Sequence, residues 1–106
     1  MAISVARDFS QTPGPRSREE GDFSGEEFLE TLLRPQFVES VAAGQKLNID
    51  LDGTEGYATS FLEAAFGGLA REYEASKILD TLTFKCEDEP YLVQEITKYI
   101  KEARKK

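Results

Sequence analysis

The chain has no histidine, no tryptophan and a single cysteine. It also has no apolar run near the roughly 20 residues that a bilayer-spanning helix needs. The absence of histidine excludes Ser-His-Asp and Cys-His catalytic machinery, an imidazole general base, and the His-containing zinc sites. A lone cysteine can form neither an intrachain disulfide nor a cysteine-rich zinc cage. Positive charge is scarce as well: 13 Lys and Arg stand against 20 Asp and Glu, a formal net charge of -7. Nucleic-acid affinity comes mostly from neutralising phosphates, so this balance disfavours nucleic-acid binding. The opening MAISVARDF lacks a basic stretch followed by a long apolar one. The expectation is a cytoplasmic protein with no membrane contact, no metal and no cofactor.

What remains is ordinary for one folded domain: 106 residues, 40% hydrophobic and 31% charged. Near the start, Ile3, Val5 and Phe9 fall on alternate positions and predict a half-buried strand, with Arg7 the exception on its apolar side. Residues 10–22 hold Pro13, Gly14 and Pro15 and then a mixed-charge run, so they predict an irregular loop long enough to be functional. Ser24 followed by Glu27 is a capping box, and Phe23 with Phe28 occupies the positions of a hydrophobic staple; together they start a helix at Gly25. Its apolar stripe reaches Val41, with Pro35 expected to kink or break it near Leu33 and Gly44 expected to stop it.

Leu47, Ile49 and Leu51 alternate with polar residues and predict a second strand. Ser60 and Glu63 then repeat the capping-box spacing at the head of a second helix. Gly67 and Gly68 inside that helix imply a close neighbour, because each costs about 1 kcal/mol relative to alanine. Leu82, Phe84 and Cys86 predict a third strand, with Cys86 a small core residue, and Asp88 with Pro90 opens a last helix. That helix ends in a basic tail, residues 102–106, expected to fray and to complement the helix dipole. The alternation predicts a small α/β domain with a mostly parallel or mixed sheet of three to five strands and about three helices.

The stretch Leu47 to Leu69 places Thr59 and Ser60 just beyond a strand, at the start of a helix, which is where α/β sheets bind their ligands. The strand ending Asp50-Leu51-Asp52, the hydroxyl pair Thr59-Ser60 and the apolar helix after them resemble the signature of the STAS superfamily, the anti-sigma factor antagonists and sulfate-transporter tails. In that pattern, Thr59 matches the first hydroxyl, Ser60 the one phosphorylated by a partner kinase that is itself the anti-sigma factor, and Leu62 the following leucine. Ala58 stands where the pattern has aspartate, and Phe61 where it has glycine. A fuller resemblance joins DFSQTPGPR (Asp8 to Arg16), FSGEEF (Phe23 to Phe28) and IDLDGTEGYATSFLEAAFGGL (Ile49 to Leu69) in one order. It is to a bacterial STAS-like domain family of unknown function, and it implies a STAS-like fold.

The expected function is therefore a non-catalytic protein-interaction and regulatory module that docks through Gly53 to Leu69. Gly53, Glu55, Gly56, Tyr57, Phe61 and Glu63 are its candidate contacts, and Ser60 with Thr59 its candidate phosphorylated hydroxyls. By resemblance, the expected partner is a serine kinase of the anti-sigma type. For Ser60 the competing role is a plain helix cap. The alternative function is a small-anion or nucleotide sensor, in which Arg7, Arg16 and Arg18 hold the anion; against it, each arginine can instead brace its own loop. Asp50, Asp52 and Glu55 could bind a divalent cation, but acidic pairs at strand ends are more often solvated or capping residues.

Overall fold

The structure, a computed structural model, describes residues 1–103. Arg104, Lys105 and Lys106 of the basic tail lie outside the described residues. Three parallel strands, β1 (Ala2–Ser4), β2 (Leu47–Asp50) and β3 (Leu82–Lys85), form a sheet in the order β1-β2-β3. Besides a π-helical turn at Val5–Phe9, four helical runs accompany it among the described residues: α1 over residues 25–43, α2 over residues 59–70, α3 (Ala75–Thr81) and α4 (Tyr91–Glu102). This is a small α/β domain with an all-parallel sheet at the lower expected strand number and one helix more than expected. The additional helix, α3, buries only Ile78 and Thr81, too little for a legible apolar stripe.

Register explains why the strands alternate. Ile3, Ile49 and Phe84 lie side by side and face the core, where Ile3 and Ile49 are fully buried. On the other face, Ala2, Ser4, Asn48, Asp50, Thr83 and Lys85 are exposed or half-buried, and the Thr83 hydroxyl donates to Asn48 at 3.0 Å. Parallel sheets are usually covered on both faces and read as continuous apolar runs. Here one face stays polar, so the period of two survives in the sequence. The covered face packs against residues from all four helices in a single core.

The first strand is shorter than its alternation predicts. β1 ends at Ser4, and Val5–Phe9 winds into a π-helical turn. The Ser4 hydroxyl accepts from the Arg7 amide at 3.3 Å and the Asp8 carboxylate accepts from the Ser4 amide at 2.8 Å. Such side-chain partners offer the backbone an alternative to the sheet ladder.

Helix α1 begins at Gly25 as expected, with the Glu27 amide donating to the fully buried Ser24 hydroxyl at 3.0 Å. The staple is indirect: Phe23 lies 43% exposed, and Phe9 stands between it and Phe28, with ring centroids at 5.6 and 5.3 Å. Pro35 does not end the helix. A π-helical turn, Leu29–Leu33, precedes it, the Arg34 amide bonds back to the Leu29 carbonyl, and the chain continues through Arg34–Ala43. The wider turn absorbs the missing proline donor that would otherwise break the hydrogen-bond ladder. Gly44 then stops the helix in the left-handed region at φ 66°.

Candidate functional site

In a parallel sheet whose strands feed helices, the helix starts gather beyond the carboxyl ends of the strands. Here α1, α2 and α4 all begin at that edge, and the turn after β2 forms its centre. The Leu51 amide prolongs the β2–β3 pairing by donating to the Lys85 carbonyl at 2.8 Å. Asp52 then braces the edge. One of its carboxylate oxygens accepts from the amides of Glu87 at 2.8 Å and Asp88 at 2.9 Å, and the other pairs with Lys85 at 3.0 Å. The Gly53 amide donates to Asp88 at 3.1 Å in return. The amides of Asp88 and Glu87, with Lys85, hold the Asp52 carboxyl below its ordinary pKa. Gly53 turns the chain at φ 90°, a conformation that favours glycine.

Tyr57 closes the turn, its hydroxyl donating to the Leu51 carbonyl at 2.8 Å, and burial pushes that phenol well above its ordinary pKa. Asp50 accepts from the Asp52 amide at 3.0 Å, and Glu55 is exposed while its own amide donates to the Gln11 carbonyl at 2.8 Å. The carboxylates of Asp50 and Asp52 thus hold the turn itself. Among the described residues, no group of three or more His, Cys, Asp or Glu is arranged to hold a metal ion.

Helix α2 starts at Thr59, one residue before Ser60, with Ala58 in the cap position. Ser60 is therefore the second helical residue and does not cap, because the chain enters the helix two residues earlier than the Ser60-Glu63 spacing suggests. Ala58 has no side-chain oxygen to offer the first-turn amides, and only its carbonyl serves there, accepting from the Phe61 amide at 3.1 Å and the Leu62 amide at 3.3 Å. Thr59 is exposed and Ser60 half-buried, and neither hydroxyl has a hydrogen-bond partner among the described residues.

Glu63 is engaged elsewhere. One carboxylate oxygen pairs with Arg16 at 2.5 Å and the other with Arg71. Burial alone would raise its pKa, but the two guanidinium groups outweigh that and hold it below the ordinary value. Nothing in the sequence signals Arg71, since a separation of eight residues is not a neighbouring helix spacing. Arg18 pairs with Glu30 at 2.7 Å, and Arg7 is exposed with no ion pair among the described residues. Arg16 and Arg18 thus brace the 10–24 loop against two different helices.

Phe61 corrects the sequence reading more sharply. It is 1% exposed, packed among Phe9, Phe28 and Tyr57 with ring centroids 5.9 to 6.1 Å away, and it cannot serve as a surface anchor. The exposed aromatics of the described residues are Phe23 and Tyr91, 43% and 55% exposed, next to the starts of α1 and α4. Cys86 is half-buried with its thiol donating to the Glu89 carbonyl at 3.0 Å, and burial raises its pKa.

A family model described as a STAS-like domain of unknown function matches residues 24–92. No curated protein and no solved structure matches the chain. The matched span runs from the cap of α1 to the first turn of α4 and takes in the β2 turn, Thr59, Ser60 and Glu63. With the parallel sheet and the helix starts gathered at one edge, it places the chain in a family: this protein is a member of the STAS-like domains of unknown function.

Proposed function

We propose that the domain is a non-catalytic regulatory module that docks on a partner protein through the carboxyl edge of its sheet and is switched by phosphorylation of Ser60. The observation that carries this reading is the free, half-exposed Ser60 hydroxyl in the first turn of an uncapped helix. A phosphate there meets the positive end of the helix dipole while adding a charge of about -1.5 to -2 to an acidic edge. Such a change alters a docking face without unfolding the domain. The docking residues are Gly53, Glu55, Gly56 and Tyr57, with Glu63 at the side; Thr59 is the neighbouring hydroxyl.

By resemblance to the anti-sigma factor antagonists, the partner is a serine kinase with its own ATP site. The Ser60 oxygen forms a bond to the γ-phosphorus of ATP, the phosphoanhydride bond breaks, ADP leaves, and the hydroxyl proton passes to a base on the kinase. Absence of catalysis by the domain itself accords with Ser60 having no hydrogen-bonded base, which an activated nucleophile requires. The test is an affinity capture from the native host with wild-type domain and Ser60→Asp as parallel baits. An ATP-binding serine kinase held by the wild type and lost by the variant is the expected outcome. Equal retention by both baits would remove the switch.

A further inference from the structure

The 10–24 loop is tied to the start of α2 at several points. Its Gln11 carbonyl accepts from the Glu55 amide at 2.8 Å, and Arg16 reaches Glu63 at 2.5 Å. At its far end, Gly25 lies so close to Phe61 that an added Cβ would stand 2.4 Å from the Phe61 carbonyl oxygen. The same loop caps α1, since the Pro15 carbonyl accepts from the Gly25 amide at 2.8 Å and the Arg16 carbonyl from the Glu26 amide at 3.0 Å. Arg16 is thus a single residue whose backbone holds one helix start and whose side chain reaches the other.

Ser60 and Glu63 lie three apart on α2 and so are neighbours on its surface. The Arg16 guanidinium, whose side chain is 50% exposed, pairs with Glu63 one helical turn along from Ser60. Glu63 does not depend on it, because Arg71 holds the other carboxylate oxygen. Removing a sole partner from a half-buried carboxylate would be costly, whereas removing one of two leaves the charge compensated. A phosphate offers a guanidinium three acceptor oxygens and more charge than a carboxylate.

Resting on the proposed modification of Ser60, we infer that Arg16 is the internal reader of that phosphate: it leaves Glu63 to Arg71, pairs with the phosphoserine, and so shifts the 10–24 loop that borders the docking face. The modification then acts in two ways. It changes the charge at residue 60 and it reshapes the loop beside it, including the exposed ring of Phe23.

The experiment uses the full chain with phosphoserine incorporated genetically at position 60, alone and with Arg16→Gln or Arg71→Gln. Phosphorus NMR gives the second phosphate pKa, ordinarily about 6. Pairing with Arg16 should lower it by roughly half a unit relative to the Arg16→Gln background, the size expected of an exposed ion pair, while Arg71→Gln, which leaves Glu63 to Arg16 alone, should shrink that shift. Hydrogen exchange should show the Gly25 and Glu26 amides changing severalfold on phosphorylation in the wild type and not in Arg16→Gln. Arg16→Lys, which keeps the charge and loses the fork, should recover part of the pKa shift. An unchanged phosphate pKa in Arg16→Gln, or loop exchange indifferent to phosphorylation, would overturn the inference. The measurement needs no kinase, so its failure would leave the kinase-partner reading standing, and failure of the capture experiment would leave this result intact.

Discussion

Gly25 of α1 lies directly against the carbonyl of Phe61 in α2, and a Cβ built on it would come within 2.4 Å of that oxygen and 3.0 Å of the Ala64 side chain. The obstacle is backbone, so it cannot turn aside. Gly25→Ala should therefore destabilise the domain by about 1–3 kcal/mol, the cost of overpacking, despite the helix preference of alanine. Gly44→Ala meets nothing within 4 Å and carries only the left-handed backbone penalty at φ 66°, about 1 kcal/mol. Urea unfolding of both variants measures the difference, and Gly25→Ala at or above wild-type stability would show that α1 and α2 are not locked at their starts.

Asp52 makes the edge acid-sensitive. The Asp88 and Glu87 amides and Lys85 favour its charged form, so its folded pKa lies below its unfolded one. Its stabilisation is present above the unfolded value, near 3.9, and is lost as pH falls through the folded value. Asp52→Asn should melt lower than wild type at neutral pH, and the gap should close as pH falls below the ordinary carboxylate range. A gap constant with pH would assign the loss to shape rather than charge.

The parts of the fold legible in the sequence were those with local causes. Ser24 announced α1 because its hydroxyl and Glu27 act within one turn, and Ile49 announced β2 because one sheet face stays polar. Gly68 correctly implied a close neighbour, which is Leu29, whose Cδ2 lies 2.7 Å from where a Cβ would stand. Misreadings arose where tertiary contacts decide. Ser60 has the same spacing to Glu63 as Ser24 has to Glu27, but Glu63 is drawn off by Arg16 and Arg71, and the helix begins two residues earlier. Phe61 follows two hydroxyl residues and still points inward, because Phe9 and Phe28 arrive from distant segments to cover it.

That burial has a measurable consequence. Phe61→Ala should cost about 3–5 kcal/mol by leaving a cavity beneath the docking edge, a large part of the stability of a domain this small. Calorimetry or chemical denaturation should show it as a severe loss, whereas Tyr91→Ala at 55% exposure should change stability by about 0.5 kcal/mol or less. If Phe61→Ala unfolds like wild type, its ring does not lie in the core.

The two serine-to-glutamate spacings give the last contrast, since identical local patterns have different roles. Ser24→Ala removes a buried oxygen that accepts the Glu27 amide and should destabilise by about 1–2 kcal/mol. Ser60→Ala removes a hydroxyl with no partner and should stay within about 0.5 kcal/mol of wild type. Ala58 occupies the true cap with an extended backbone, φ -72° and ψ 143°, which suits a capping side chain. Ala58→Asp should therefore stabilise α2 by about 0.5–2 kcal/mol, because its carboxylate can accept first-turn amides that Ala58 leaves without a side-chain acceptor. Denaturant midpoints of the three variants decide the matter. A loss in Ser60→Ala matching that in Ser24→Ala, with no gain from Ala58→Asp, would return Ser60 to the cap and take away the free hydroxyl on which the switch depends.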